Sequence, residues 1–247
     1  MSVYAGPADW WTDGTDAGRT HITTKGIVQS GLVLNLDPGA SSSYSGSGTT
    51  VTDLSGLNNN GALTNGPTFS TDNGGVFVLD GTNDEILVPN ATSLNMTGAH
   101  SFSTWHYLTN WNYYPGILSK GYATTGGYSS HIRNDYSIWY ELNESNGTRT
   151  IYNPTSVVTG LNAWYNVVCV YTGTKVRIYI NGVPAGTEED ASITLGTISN
   201  GVSIGKLQYD TGFYLTGRIS TVQIYNVALT QAQVLQNFNA LRGRFGI

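Results

Sequence analysis

The chain is short of cysteine, of charge and of long apolar runs. Its single cysteine, Cys169, rules out a disulfide framework within the 247 residues. That cysteine stands inside the apolar run 167–170 and reads as a small buried hydrophobe rather than a reactive thiol. Only 11% of residues are charged, and 11 basic against 16 acidic side chains leave a formal net charge of −5. Such a balance has no excess of cations to displace counterions from phosphate, so no nucleic-acid partner is expected. No stretch is apolar for long enough to span a bilayer, so no membrane insertion is expected either. The opening MSVYAGPADWW lacks a basic region followed by an apolar run. It predicts no signal peptide and synthesis in a reducing cytoplasm.

Glycine (31), tyrosine (16) and tryptophan (6) are plentiful instead. With many Ser, Thr and Asn they suit short strands and frequent turns. The clearest unit is WYNVVCVYTGTKVRIYING, residues 164–182. Val176, Ile178 and Ile180 alternate with Lys175, Arg177, Tyr179 and Asn181, the period of a half-buried strand. The run 167–170 is apolar on both faces, and Thr172-Gly173-Thr174 supplies the reversal. Further strands are expected at 31–37, 75–79, 85–88, 101–108, 116–119, 137–142, 202–205 and 218–225. Leu32, Leu34 and Leu36 should share one face of the first. In 101–108, Phe102 and Thr104 should oppose Trp105 and Tyr107. Thr230-Gln231-Ala232-Gln233 matches a capping box, with Leu229 and Val234 placed as a hydrophobic staple. Val234, Leu235, Phe238 and Leu241 follow at helical spacing, which predicts one short helix over 231–241 with Gly243 as its stop. Residues 1–27 read as an N-terminal arm and 28–247 as one domain. In the arm, Trp10 and Trp11 fit either an interface anchor on a neighbouring subunit or packing within the chain.

These pieces, taken in order, resemble the laminin-G/pentraxin-like, concanavalin A-like jelly rolls. The resemblance is carried by residues 31–37, Asp53-Leu54-Ser55-Gly56-Leu57-Asn58-Asn59-Asn60-Gly61, Leu79-Asp80-Gly81-Thr82-Asn83-Asp84, Trp105, Ile117-Leu118-Ser119-Lys120, 164–168, Tyr179-Ile180-Asn181-Gly182 and 217–229. It spans about residues 30–240. It implies an all-β, LamG-like jelly-roll sandwich of two antiparallel sheets with one short C-terminal helix. In members of this family that hold calcium, acidic and Asn-rich loops provide the oxygens, which would be Asp80, Asp84 and Asn58 here. Ser220 occupies a position that is often Asp, so the carboxylate count falls. The competing reading is a turn in which Asp80 caps its own backbone. The ending 236–246 is similar to the tails of such domains in virion proteins of tailed bacteriophages. That likeness implies a virion location, as a capsid decoration or fibre subunit, with self and other capsid or tail proteins as partners.

No catalytic constellation is visible. Glu141 and Glu144 are close in sequence, and Glu188-Glu189-Asp190 falls in an expected loop after Pro184. A glycosidase needs two carboxylates on rigid elements facing one cleft. His21, His100, His106 and His131 lack metal-ligand spacing, and His106 is expected to be a satisfied sheet residue. Binding has better support. Trp111, Tyr113, Tyr114, Tyr122, Tyr128 and Tyr136 cluster in expected inter-strand loops. Three readings stay open for them: packing of the sandwich rim, a protein contact, and stacking on host-surface glycans.

Overall fold

A computed structural model describes residues 26–111, 113–121, 126–153, 159–208 and 213–247. Trp10, Trp11 and Tyr122 lie outside the described residues. The strands are β1 (Leu32–Leu36), β2 (Thr50–Val51), β3 (Gly61–Thr64), β4 (Thr68–Ser70), β5 (Val76–Asp80), β6 (Glu85–Val88), β7 (His100–Leu108) and β8 (Gly116–Lys120). They continue as β9 (Tyr128–Ile132), β10 (Ile138–Asn143), β11 (Arg149–Tyr152), β12 (Trp164–Tyr171), β13 (Lys175–Ile180), β14 (Val183–Asp190), β15 (Val202–Ile204) and β16 (Thr216–Tyr225). One α-helix, α1 (Gln231–Leu241), follows. One sheet runs β14-β13-β12-β7-β16-β5-β4 with β1 also paired to β16; the other runs β11-β10-β9-β8-β15-β6-β3-β2. This is a sandwich of two antiparallel sheets with the expected helix at the C-terminal end.

The main core lies between the sheets, with Leu34, Phe77, Phe102, Leu118, Tyr140, Ile178 and Ile224 in it. Alternation does the sorting. Val167 and Cys169 face this core, while Val168 and Val170 face the opposite side. On that opposite side α1 closes the first sheet. Trp105 stacks on Phe238 at 5.7 Å and on Phe245 at 4.0 Å between ring centroids. The helix starts as its sequence dictates: Thr230 accepts from Gln233 N–H, and the Gln233 side chain accepts from Thr230 N–H.

Four expectations need correction. Leu32 does not share a face with Leu34 and Leu36. A register shift between Leu32 and Leu34 sends it to the helix side, while Val33 joins the main core. Gly243 is not the helix stop. The chain passes from Leu241 directly into a 3-10 turn, Arg242–Arg244, with no left-handed residue at 243. That turn delivers Arg244 into the protein, where it meets Asp37 at 2.8 Å. The acidic run 188–190 is no loop; it belongs to edge strand β14, where Glu188 meets Lys175 of β13 at 3.0 Å. His106 faces the sheet interior, fully buried, and neither ring nitrogen has a hydrogen-bond partner. Cys169 is buried as expected, and burial pushes its thiol up, away from thiolate chemistry.

Candidate functional site

Helix α1 packs on the outer face of the first sheet, and an aromatic cluster gathers on the outer side of the second. Strands β9 and β10 form a hairpin closed by residues 133–137, with Tyr136 N–H donating to Arg133 O at 2.8 Å. Tyr128, Ile132, Ile138, Tyr140 and Leu142 take the core side. By alternation Ser129, His131, Trp139, Glu141 and Asn143 take the outer side. Register places His131 opposite Trp139 and Ser129 opposite Glu141.

An aromatic cluster with one arginine grows around that hairpin. The Arg133 guanidinium carbon lies 4.2 Å from the centre of the Trp139 ring and 5.9 Å from that of Tyr114. The His131 ring is 5.4 Å from Trp139 and 6.0 Å from Tyr114. Tyr113 and Tyr114 meet edge-on at 4.2 Å, and Phe213 lies 6.1 Å from Tyr113. Trp111 packs on Tyr136 at 5.4 Å and leans on the main core. Tyr113 is 65% exposed, the most open of the group. Its phenol is held above the usual tyrosine range, first by a hydrogen bond with Tyr114.

The backbone here is under strain. Seven described non-glycine residues have positive φ, and five of them are asparagines, which tolerate that region. The other two are Tyr114 (φ 50°) and Tyr136 (φ 62°), both in this cluster. A tyrosine held in the left-handed region disfavours the fold by about 1–3 kcal/mol and marks a place where the surroundings dictate ring position.

Charge is arranged with equal care. Arg149 Nε lies 3.2 Å from Glu141 Oε2, and the glutamate side chain is fully buried. His131 is pushed down to about 3, by burial first and then by the charges of Arg149 and Arg133. Both guanidinium groups thus help to keep the imidazole neutral. Asp135, in the hairpin turn, accepts from Ser137 Oγ at 2.6 Å and Ser137 N–H at 3.0 Å.

Tyr128 does not join the cluster. It lies in β9 rather than in a loop, is 1% exposed, and its hydroxyl donates to Leu94 O in the core. No ligand reaches it there.

Residues 80–235, more than half of the chain, match the family described as the concanavalin A-like lectin/glucanases superfamily, through its laminin-G-type model. The chain belongs to that superfamily. Among solved structures, it is similar to the binding domain of Paraclostridial Mosquitocidal Protein 1 (TM-score 0.69, 16% identity, 85% of this chain and 52% of that one). It is similar to the ligand binding domain of botulinum neurotoxin serotype D in complex with N-acetylneuraminic acid (TM-score 0.65, 18% identity, 86% and 51%). A third is domain 4 of AbnA, a GH43 extracellular arabinanase from Geobacillus stearothermophilus, in complex with arabinotriose (TM-score 0.63, 18% identity, 85% and 98%). The chain spans about half the length of the toxin binding domains it matches. At these identities the likeness establishes the fold. No curated protein matches the chain in sequence.

Of the residues considered for calcium, Asp80 and Asp84 meet in one turn and Asn58 does not join them. Thr82 N–H donates to Asp80 Oδ1 at 2.7 Å, and Asp80 N–H donates to Asp84 Oδ2 at 3.0 Å. The two carboxylates thus shape their own turn. Thr82 N–H is the main cause holding Asp80 low, whereas burial raises Asp84. Asn58 is elsewhere. Strand β3 separates it from this turn: neighbouring Asn59 bonds Ser93 at one end, while Asn65 bonds Asn83 at the other. Ser220, at the family's frequent Asp position, binds Gly75 O and Arg244 instead. Among the described residues no three or more His, Cys, Asp or Glu side chains gather for a metal. The Asp53 loop of the family resemblance is also structural: Asp53 accepts from Asn35, Ser55 and Asn59 N–H groups and from Ser55 Oγ. No described helix is long and apolar enough to cross a membrane.

The sequence thus pointed to Trp111, Tyr113, Tyr114 and Tyr136 and not to His131, Arg133, Trp139 and Phe213. A signal was present for part of this set. In 138–143, Ile, Tyr and Leu alternate with Trp, Glu and Asn, a strand with a polar aromatic outer face.

Proposed function

We propose that this chain is a non-enzymatic binding module whose ligand is a saccharide, held on the outer face of the β9–β10 hairpin. The observation that carries this reading is Trp139: a half-buried indole on a strand, flanked by Arg133, His131 and the exposed ring of Tyr113. Sugars offer C–H faces to such rings, and their hydroxyls pair with neighbouring polar groups. Rings fixed by strand register and by a strained Tyr114 lose little freedom on binding, which favours affinity. Support also comes from AbnA domain 4, of nearly the same extent, whose structure is a complex with arabinotriose.

A hydrolytic role has less support. The outward positions of β10 are Trp139, Glu141 and Asn143, which places one carboxylate on that strand face, and Arg149 holds it. Retaining and inverting glycosidases each require a second carboxyl group across the bond. The test is titration calorimetry of the full chain against a panel of neutral and acidic oligosaccharides, with a reducing-sugar assay alongside. Binding lost in Trp139→Ala is the expected result. Absence of binding to any panel member, or release of reducing ends, overturns the reading.

We propose further that the module is displayed on a tailed-phage virion, as a decoration or fibre subunit made in the bacterial cytoplasm and meeting itself and other virion proteins. Its support is the resemblance of residues 236–246 to the tails of such proteins. Mass spectrometry of purified particles tests it, and absence of the chain from them rejects it.

A further inference from the structure

Resting on the reading of the Trp139 face as a saccharide site, we propose that the sugar it selects is acidic, with its carboxylate seated on the Arg133 guanidinium. The argument starts from pairing. Arg149, Arg177, Arg218 and Arg244 each meet a carboxylate within 4.0 Å. Arg242 points outward at the exposed end of the helix. Arg133 is different: it is half-buried, yet it makes no ion pair with any described residue. Its Nε is buried and has no hydrogen-bond partner. In a chain with 16 acidic and 11 basic side chains, a half-buried arginine with no carboxylate of the described residues within 4.0 Å is conspicuous, though its charge is felt by Asp135.

The two nearest carboxylates in sequence direct their bonds elsewhere. Asp135 lies two residues away in the same turn but binds Ser137. Glu141 lies two residues beyond Trp139 but binds Arg149. Stacking on Trp139 fixes the guanidinium plane, and a stacked arginine keeps its donor edge for a planar bidentate acceptor. A carboxylate matches that edge; a sugar hydroxyl accepts only one of its bonds. The pyranose carrying the acid would then lie toward Trp139 and Tyr113.

Titration calorimetry with matched pairs tests this: 3′-sialyllactose against lactose, and trigalacturonate against its methyl ester. The expected result is that at least one acidic member binds about tenfold or more tightly than its neutral counterpart, the scale of one charge-assisted pair. Added salt should narrow the gap, and Arg133→Gln should bring the acidic sugar down to the affinity of the neutral one. Arg133→Lys, which keeps the charge but loses the fork, should fall between. Circular dichroism and a thermal melt confirm that each variant is folded. Equal affinity for both members of each pair overturns the inference and leaves the saccharide site standing. An acidic preference that survives Arg133→Gln also overturns it. Binding to neither member of either pair rejects the saccharide site and the inference together.

Discussion

Arg244 is the sharpest place to test how the C-terminal segment is tied to the sandwich. Its guanidinium donates to Asp37 Oδ1 at 2.8 Å, Asn73 O at 3.0 Å, Gly75 O and Ser220 Oγ at 3.1 Å each, and Thr221 Oγ1 at 3.2 Å. The side chains of Arg244 and Asp37 are 7% and 5% exposed. Removing one partner of a buried pair strands the other, a loss of roughly 3–5 kcal/mol. Arg244→Ala should therefore lower stability by about that amount. For a chain of this size it should lower Tm by roughly 6–20 °C, at about 2–4 °C per kcal/mol. Urea is the right denaturant, because guanidinium ions would screen the interaction under test. Tryptophan fluorescence is the right probe, since the Trp105 and Trp164 rings lie 4.0 Å and 4.6 Å from Phe245, next to the arginine.

Coupling makes the test specific. A Cβ on Gly39 would lie 2.3 Å from Arg244 Nη2. Gly39→Ala should thus destabilise the wild-type chain more than it destabilises the Arg244→Ala chain. Likewise Asp37→Ala and Arg244→Ala together should lose less than the sum of the two alone. A loss below about 1 kcal/mol for Arg244→Ala, with unfolding still cooperative, would refute the reasoning, because no buried carboxylate could then have been stranded.

Three further outcomes follow from the same structure. His100 and His106 are fully buried and pushed down to about 4 by burial, so the native state resists their protonation while the unfolded chain does not. Stability should be complete above pH 6.5 and fall as pH drops toward 4, by roughly 2 kcal/mol per histidine between pH 7 and 5; urea melts at both pH values check it, and His106→Leu should remove one proton's worth of the slope. Thr230→Ala should lower stability by about 1 kcal/mol through loss of the cap, read by urea titration. Chelation with EDTA should leave Tm unchanged, because the Asp80 and Asp84 carboxylates already serve their own turn; a clear fall on chelation would contradict that assignment.

Legibility in the sequence followed the range of the interaction. Helix α1 was readable to the residue because Thr230, Gln233 and the apolar spacing are local signals. The β12–β13 hairpin was readable for the same reason, with Gly173 at φ 98° where the turn demands it. Strand β14 was hidden because an edge strand carries charge, and its acids are matched across the ladder by Lys175. Strand β9 was hidden because Ser129, Ser130 and His131 look like loop residues until a polar outer face gives Ser129 and His131 a reason to be there. The site was only half legible. Trp111, Tyr113 and Tyr114 advertise themselves by composition. Arg133, His131 and Trp139 become neighbours only through the β9–β10 register, which no motif encodes.

The contrast between the two outer faces is what gives the molecule a direction. Both sheets present alternating side chains away from the shared core, and each face must be covered or be compatible with water. The first sheet solves this with apolar residues under a helix: Trp105, Val168, Val170 and Tyr225 pack beneath Val234, Phe238 and Leu241. That helix is pinned at its start by a capping box and just past its end by Arg244. The second sheet carries a Glu141–Arg149 pair, a neutral His131 and an arginine stacked on Trp139 at the corresponding positions. Glu141 and His131 are themselves buried, the glutamate paired with Arg149, while Trp139 and Arg133 stay half-buried and Tyr113 exposed. Their placement on rigid strands, with two tyrosines in left-handed backbone beside them, is the geometry on which the proposed saccharide site rests.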